Sequence, residues 1–253
     1  MASAQTSGHI VAMGGGGFSM EPENPLLDDF VLSLSRRQPA RVCFVPTASA
    51  DSHAYITRFY RAFAGRCHPT DLTLWDPPAL ARRPRLTSDL PDFVSEQDVF
   101  YVGGGNTAHL LAPWRVHGLD TLLRRAWSAG AVLCGVSAGM LCWFRGGVTD
   151  SYGRLDRLDD GLGLVQATAC PHYDGEPSRR PTYHRLVAGG MDAGFAADDG
   201  AALHFQGTDF TEAVSSRPTA AAYRVESMEG RVVETALPTR FLGSRDADTS
   251  VGA

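Results

Sequence analysis

Residues 135–139 read GVSAG, between the apolar runs AVLCGV and MLCWF. This is a G-x-S-x-G pentapeptide with a strand-like segment before it and a helix-like segment after it, the context in which a serine becomes a nucleophile. A sharp strand-to-helix turn lifts the Ser137 hydroxyl above the sheet, and small neighbours let the turn close. The helix start offers the Ala138 amide and a positive dipole end to a developing oxyanion. A second glycine run, YVGGGNT, ends a strand about 33 residues earlier. Its unshielded amides can complete the oxyanion hole if the two strands are neighbours.

A serine nucleophile needs a base. Of eight histidines, His172 in CPHYDGE is the candidate, because it follows a proline at the end of an apolar segment. His204, inside the run ALHF, reads as a core histidine. An acid must orient the imidazole. Asp150 in GGVTDSYG is the first choice, with Glu176, Asp174 and Asp192 as alternatives that spacing alone does not separate.

These residues must be positioned by a framework, and the chain alternates short apolar strands with helices. HIVAMGG (9–15), RVCFVPTAS (41–49), DLTLWD (71–76), DVFYVGGG (98–105) and AVLCGV (131–136) read as strands. Helical spacing marks 25–37, 53–65, 106–118, where Asn106 or Thr107 can cap, and 119–130, with a further helix beginning at SAGMLCWF. This pattern predicts an α/β fold, a mostly parallel sheet with helices on both faces in three layers. Ligands of such sheets collect at the C-terminal strand ends, where all the glycine runs lie. Beyond about residue 148 strands dominate (165–173, 202–207, 220–226 and 231–237), with a helix near 181–188. A single domain over 1–253 is expected, its core about 9–240 and its last residues, 243–253, a frayed tail.

Composition narrows the chemistry. All 23 basic residues are arginine, so a Walker A loop, a Schiff-base lysine and a Ser–Lys dyad are excluded. A net charge of −5 without a basic block argues against nucleic acid. No run approaches the roughly 20 apolar residues that span a bilayer. The start of the chain lacks a secretory pattern, and the five cysteines form no C-x-x-C pair. A cytoplasmic protein with reduced cysteines, no metal and no cofactor is expected.

In order, AMGGGGFS, FVPTAS, YVGGGNT, GVSAGM, VTDS and PHYDGE resemble the S51 serine peptidases, the family of dipeptidase E (alpha-aspartyl dipeptidase) and, more distantly, cyanophycinase. The resemblance runs over residues 9 to 210. It implies a fold like the class I glutamine amidotransferases, with Ser137 as nucleophile, His172 as base, Asp150 as acid, and Gly104 and Ala138 at the oxyanion, Gly105 being a near alternative to Gly104. It implies hydrolysis of short peptides, with an Asp-X preference carried in the family by an arginine in a G-E-T-R-like segment. Here that stretch reads GEPSRRPTYHRL; Thr182 aligns, Tyr183 stands in the arginine's place, and Arg179 or Arg180 is the candidate replacement. Asn106, Arg179, Arg180 and Tyr183 are the expected substrate contacts. The expected partner is a short peptide, with neither nucleic acid nor membrane, and a homodimer is left open. The rival readings are an esterase or other serine hydrolase, whose histidine in α/β-hydrolases lies farther downstream, and a non-catalytic binder of nucleotides or small ligands.

Overall fold

The computed structural model describes residues 8–75 and 89–244. The first half of the chain runs β1 (His9–Met13), α1 (Gly17–Met20), α2 (Leu26–Ser33), β2 (Arg41–Val45), α3 (His53–Phe63), β3 (His68–Asp71), α4 (Leu90–Ser95) and β4 (Val99–Val102). It continues with α5 (Thr107–His117), α6 (Leu119–Ser128), β5 (Val132–Val136) and α7 (Ala138–Leu141). The second half is β6 (Phe144–Thr149), β7 (Asp156–Leu158), β8 (Val165–Cys170), α8 (Arg179–Ala188), β9 (Gly194–Ala197), β10 (Ala201–Gln206), β11 (Asp209–Ser215), β12 (Ala222–Met228), β13 (Arg231–Leu237) and β14 (Thr239–Phe241).

Two sheets organise these elements. The larger has the order β14-β11-β10-β1-β5-β4-β2-β3. From β1 to β3 it is parallel, as expected, while β10 and β11 extend it antiparallel. Alternate residues face opposite sides, as the strand repeat of two requires. Val11, Phe44, Tyr101 and Cys134 join α2 and α3 in one core, whereas Ile10, Cys43, Phe100 and Leu133 join α4 to α7 in the other. The smaller sheet, β13-β12-β9-β8-β6-β7, packs through Phe144, Leu158 and Val165 onto the second core. Its own α8 covers it through Tyr183, Leu186 and Val187.

Two segments differ from expectation. The helix expected through MLCWF ends at Leu141, and Phe144 opens β6 instead. The strand expected over 71–76 lies earlier, at β3. There the amides of Leu74 and Trp75 donate to Asp51 Oδ2 at 2.6 and 2.5 Å rather than to a neighbouring strand. Most of the expected tail, 245–253, lies outside the described residues. Among the described residues, no helix is long and apolar enough to cross a membrane.

The core beneath α1 to α3 is aromatic, with Phe18, Phe44, Phe59, Phe63 and Tyr101 in mutual contact, and it encloses a carboxyl. Asp28 is 1% exposed and accepts a hydrogen bond from Tyr101 Oη at 3.0 Å. Burial pushes its pKa up to about 6, against the opposing pull of the Tyr101 bond and of Arg66. Because the folded chain holds this proton more tightly than the unfolded chain, Asp28 costs stability above pH 6, and the cost fades as pH falls toward 4. A displacement of about two pKa units corresponds to about 3 kcal/mol. Comparing Asp28→Asn with wild type by urea unfolding at pH 8 and pH 4, the variant should gain about 2–3 kcal/mol relative to wild type at the higher pH. An equal difference at both pH values would show that the carboxyl titrates normally.

Candidate active site

The register places Met13 opposite Val136 and Val102 opposite Gly135, so β1, β4 and β5 end at one level. Ser137 is the next residue after β5 and adopts φ 58°, ψ −110°, a region that costs a non-glycine residue on the order of 1–3 kcal/mol. The neighbours hold it there. Its N–H donates to Met13 O at 3.1 Å, and its carbonyl accepts from Met140 and Leu141 as α7 begins. A Cβ on Gly135 would overlap the Gly139 carbonyl, and one on Gly139 would overlap the Val102 carbonyl. Both glycines of the pentapeptide are therefore required by close approach. The half-buried Ser137 Oγ has no hydrogen-bond partner among the described residues.

The glycine loop after β4 lies against this serine. A Cβ on Gly104 would sit 3.3 Å from Ser137 Cβ and 3.9 Å from its Oγ. The amides of this run differ in their acceptors. Gly103 N–H donates to Val45 O (3.1 Å) and Asn106 N–H to Ala48 O (2.8 Å). Gly104 N–H donates to Tyr55 Oη at 3.3 Å. Among the described residues only the Gly105 amide of this run has no acceptor, and Gly105 holds φ 139° with Ala48 O pressed against it. Gly104, the expected donor, is thus engaged by Tyr55, while Gly105, the near alternative, keeps its amide without an acceptor among the described residues; the Ala138 N–H opens α7 and has no acceptor within the helix.

His172 lies two residues past the end of β8 and is held at φ 53°. Its N–H donates to Gly14 O at 3.3 Å. Met13 and Gly14 are successive residues, with Cα atoms about 3.8 Å apart, so one short piece of backbone braces both the serine and the histidine. His172 Nδ1 lies 2.6 Å from Asp199 Oδ1. An ionised carboxylate only accepts, so Nδ1 carries the proton and Nε2 is left basic. The bond to His172 is the foremost cause holding the Asp199 carboxyl below the usual carboxylate range, ahead of the opposing effect of burial.

Asp199 was not among the expected acids. It sits where the chain crosses from β9 of the smaller sheet to β10 of the larger, bridged to Gly15. Its N–H donates to Asp174 Oδ1 at 2.8 Å. Asp150, the expected acid, has a side chain 61% exposed, and its paired group is Arg179 at 4.0 Å. The adjoining Ser151 hydroxyl accepts from Thr107 and Ala108 N–H and fastens that turn to the start of α5, so Asp150 is not presented to the imidazole. Glu176 pairs with Arg179 at 2.7 Å, and Asp192 pairs with Arg145 at 2.6 Å. The missed signal was FAADDG at 195–200: an apolar stretch ending in two carboxylates and a glycine, too short to read as a strand.

The expected substrate contacts are engaged elsewhere. Asn106 accepts from His109 N–H as the cap of α5 and donates to Ser151 O. Arg179 is 4% exposed and is held by Glu176 and Val148 O. Arg180 lies over the rings of Tyr173 and Tyr223 and pairs with Glu234. Tyr183 is fully buried, its hydroxyl 2.7 Å from Thr168 Oγ1; it is a core residue because α8 turns that face onto β8. His204 is buried as expected, 3.0 Å from His9 Nδ1. Its own Nδ1 lacks a hydrogen-bond partner, and burial, ahead of the charge of His9, pushes its pKa down to about 4. Among the described residues, no group of three or more His, Cys, Asp or Glu is placed to hold a metal ion.

The chain matches the model of Peptidase family S51 over residues 10–213. It is 52% identical over 236 residues to the uncharacterized peptidase YgaJ of Bacillus subtilis (strain 168), covering 92% of this chain and 99% of that one. Among solved structures, a peptidase from an acI-B1 Actinobacterium superposes with a TM-score of 0.62 at 16% identity, over 92% of this chain and 98% of that chain. A proposed peptidase E protein from Listeria monocytogenes EGD-e gives 0.59 at 20% identity, over 81% and 97%. The two structures share the fold. A family match over most of the chain, joined to a relative aligned nearly end to end, decides the membership: the chain belongs to Peptidase family S51.

Proposed function

We propose that this peptidase hydrolyses short peptides through a Ser137–His172–Asp199 triad. The observation that carries the reading is the shared brace: a strained serine and an imidazole already paired with a carboxylate hang from successive carbonyls of one strand end. Ser137 Oγ attacks the scissile carbonyl while His172 Nε2 takes its proton. The Gly105 and Ala138 amides receive the charge that develops on the carbonyl oxygen. His172 then protonates the departing amine, and a water repeats the sequence to release the acyl group. Ser137 and His172 share no hydrogen bond among the described residues; in this reading the bond tightens when substrate binds, as catalytic hydrogen bonds commonly do.

Specificity follows from what the arginines do. An Asp-X dipeptidase needs a cation for the substrate's carboxylate, and both expected replacements, Arg179 and Arg180, are held by carboxylates of the fold. The reading is therefore a dipeptidase with a broad first position. A panel of Asp-X, Glu-X, Ala-X, Leu-X and β-Asp-Arg should show turnover of Ala-X and Leu-X within about tenfold of Asp-X, the span one side-chain contact in a pocket commands. Cleavage confined to Asp-X would restore the narrow specificity; cleavage of esters alone would favour the esterase.

A further inference from the structure

Resting on that reading, we infer that Tyr55, with Ser19, is a positioning residue of the oxyanion hole: it fixes the glycine loop that presents the Gly105 amide to the reacting carbonyl. Tyr55 belongs to α3 and is buried in the aromatic core against Phe18 and Phe44. Its hydroxyl is the part that leaves the core, and it reaches the loop after β4. The ring edge lies under Gly103, where a Cβ would come within 2.9 Å of Tyr55 Cε1.

A phenol has one proton. Tyr55 donates it to Ser19 Oγ at 2.6 Å, so toward the Gly104 N–H, 3.3 Å away, the oxygen accepts. The Gly104 N–H can only donate, so it fixes Tyr55 Oη as acceptor there and leaves the phenol proton for Ser19. This matters because Gly103–Gly105 has no side chain of its own to hold it. Val45 O and Ala48 O secure its two ends, and Tyr55 secures the peptide between them, the one packed on Ser137. Released from Tyr55, the Gly104 peptide rotates, and the following amide no longer points where the oxyanion forms. Misplacement of such a donor by about 1 Å can cost on the order of 10²-fold in rate.

The test compares wild type, Tyr55→Phe, Ser19→Ala and Ser137→Ala as full chains on a cleaved dipeptide, with a peptidyl boronic acid as the transition-state probe. Tyr55→Phe keeps the ring and its packing. It should lower kcat by about 10-fold to 100-fold, less than the 10²–10³ that loss of an oxyanion donor brings. KM should stay within about twofold, and boronate binding should weaken in step with kcat. Ser19→Ala should do the same to a smaller degree. Unchanged kcat in both variants, or a rise in KM alone, overturns the inference and marks Tyr55 as packing. A higher kcat in Tyr55→Phe also overturns it, because the hydroxyl would then be withholding the Gly104 amide from the hole. Turnover that survives Ser137→Ala overturns the triad reading itself, and this inference falls with it.

Discussion

Ser137→Ala abolishes peptide turnover, lowering kcat by about 10⁶, the loss seen when a triad's nucleophile is removed. The expected effect is this large because no neighbouring group substitutes: the chain has no lysine, and all five cysteines are buried. Burial pushes the thiol of Cys134, three residues from the serine, well above its ordinary value. The fold should survive. Alanine keeps the Cβ and the strained backbone, and the hydroxyl it removes has no hydrogen bond among the described residues. Thermal unfolding within a few degrees of wild type, together with lost turnover, is the expected pair. Activity at the wild-type rate would end the nucleophile assignment, and an inert wild type stabilised by a nucleotide would favour a binding protein.

Asp199→Asn is the second large effect, about 10⁴ in kcat, because an amide at that position selects the wrong imidazole tautomer while leaving the geometry in place. Asp150→Asn is its control and should keep activity within about tenfold, since the Asp150 carboxylate faces solvent beside Arg179 rather than the imidazole. Steady-state kinetics on the two variants separate the carboxylate that pairs with His172 from the one that the family resemblance implied. Equal losses would mean that Asp150 turns inward with substrate. A harmless Asp199→Asn would reduce the 2.6 Å contact to a structural one.

The parts of the site that a local pattern encodes were legible. Ser137 announces itself because a strained elbow needs glycines on both sides, and His172 because it follows a proline at a strand end. Most of the parallel core was legible too, since β1, β2, β4 and β5 are short apolar runs, two of them running straight into glycine. The acid was not. It reaches His172 only because two sheets meet at Gly15, a contact between segments far apart in the chain that no periodicity records. The smaller sheet was hidden in part by β9, four residues of GFAA. The glycine loop was blurred in another way: three consecutive glycines look alike until acceptors on β2 and α3 claim two of their amides. Tyr183 aligned with a family arginine, yet α8 buries it, and alignment cannot see which face of a helix is covered.

The single strand end that carries both nucleophile and base has a consequence for the newborn protein. β1 emerges from the ribosome first, but it is flanked by β5 and β10, and β10 is made only after Asp199. Long-range pairing of this kind comes late in folding. A nascent chain therefore carries Ser137 well before it carries the carboxylate that pairs with His172. A chain stalled between the two lacks that carboxylate, so on the proposed triad hydrolysis waits for synthesis past residue 199.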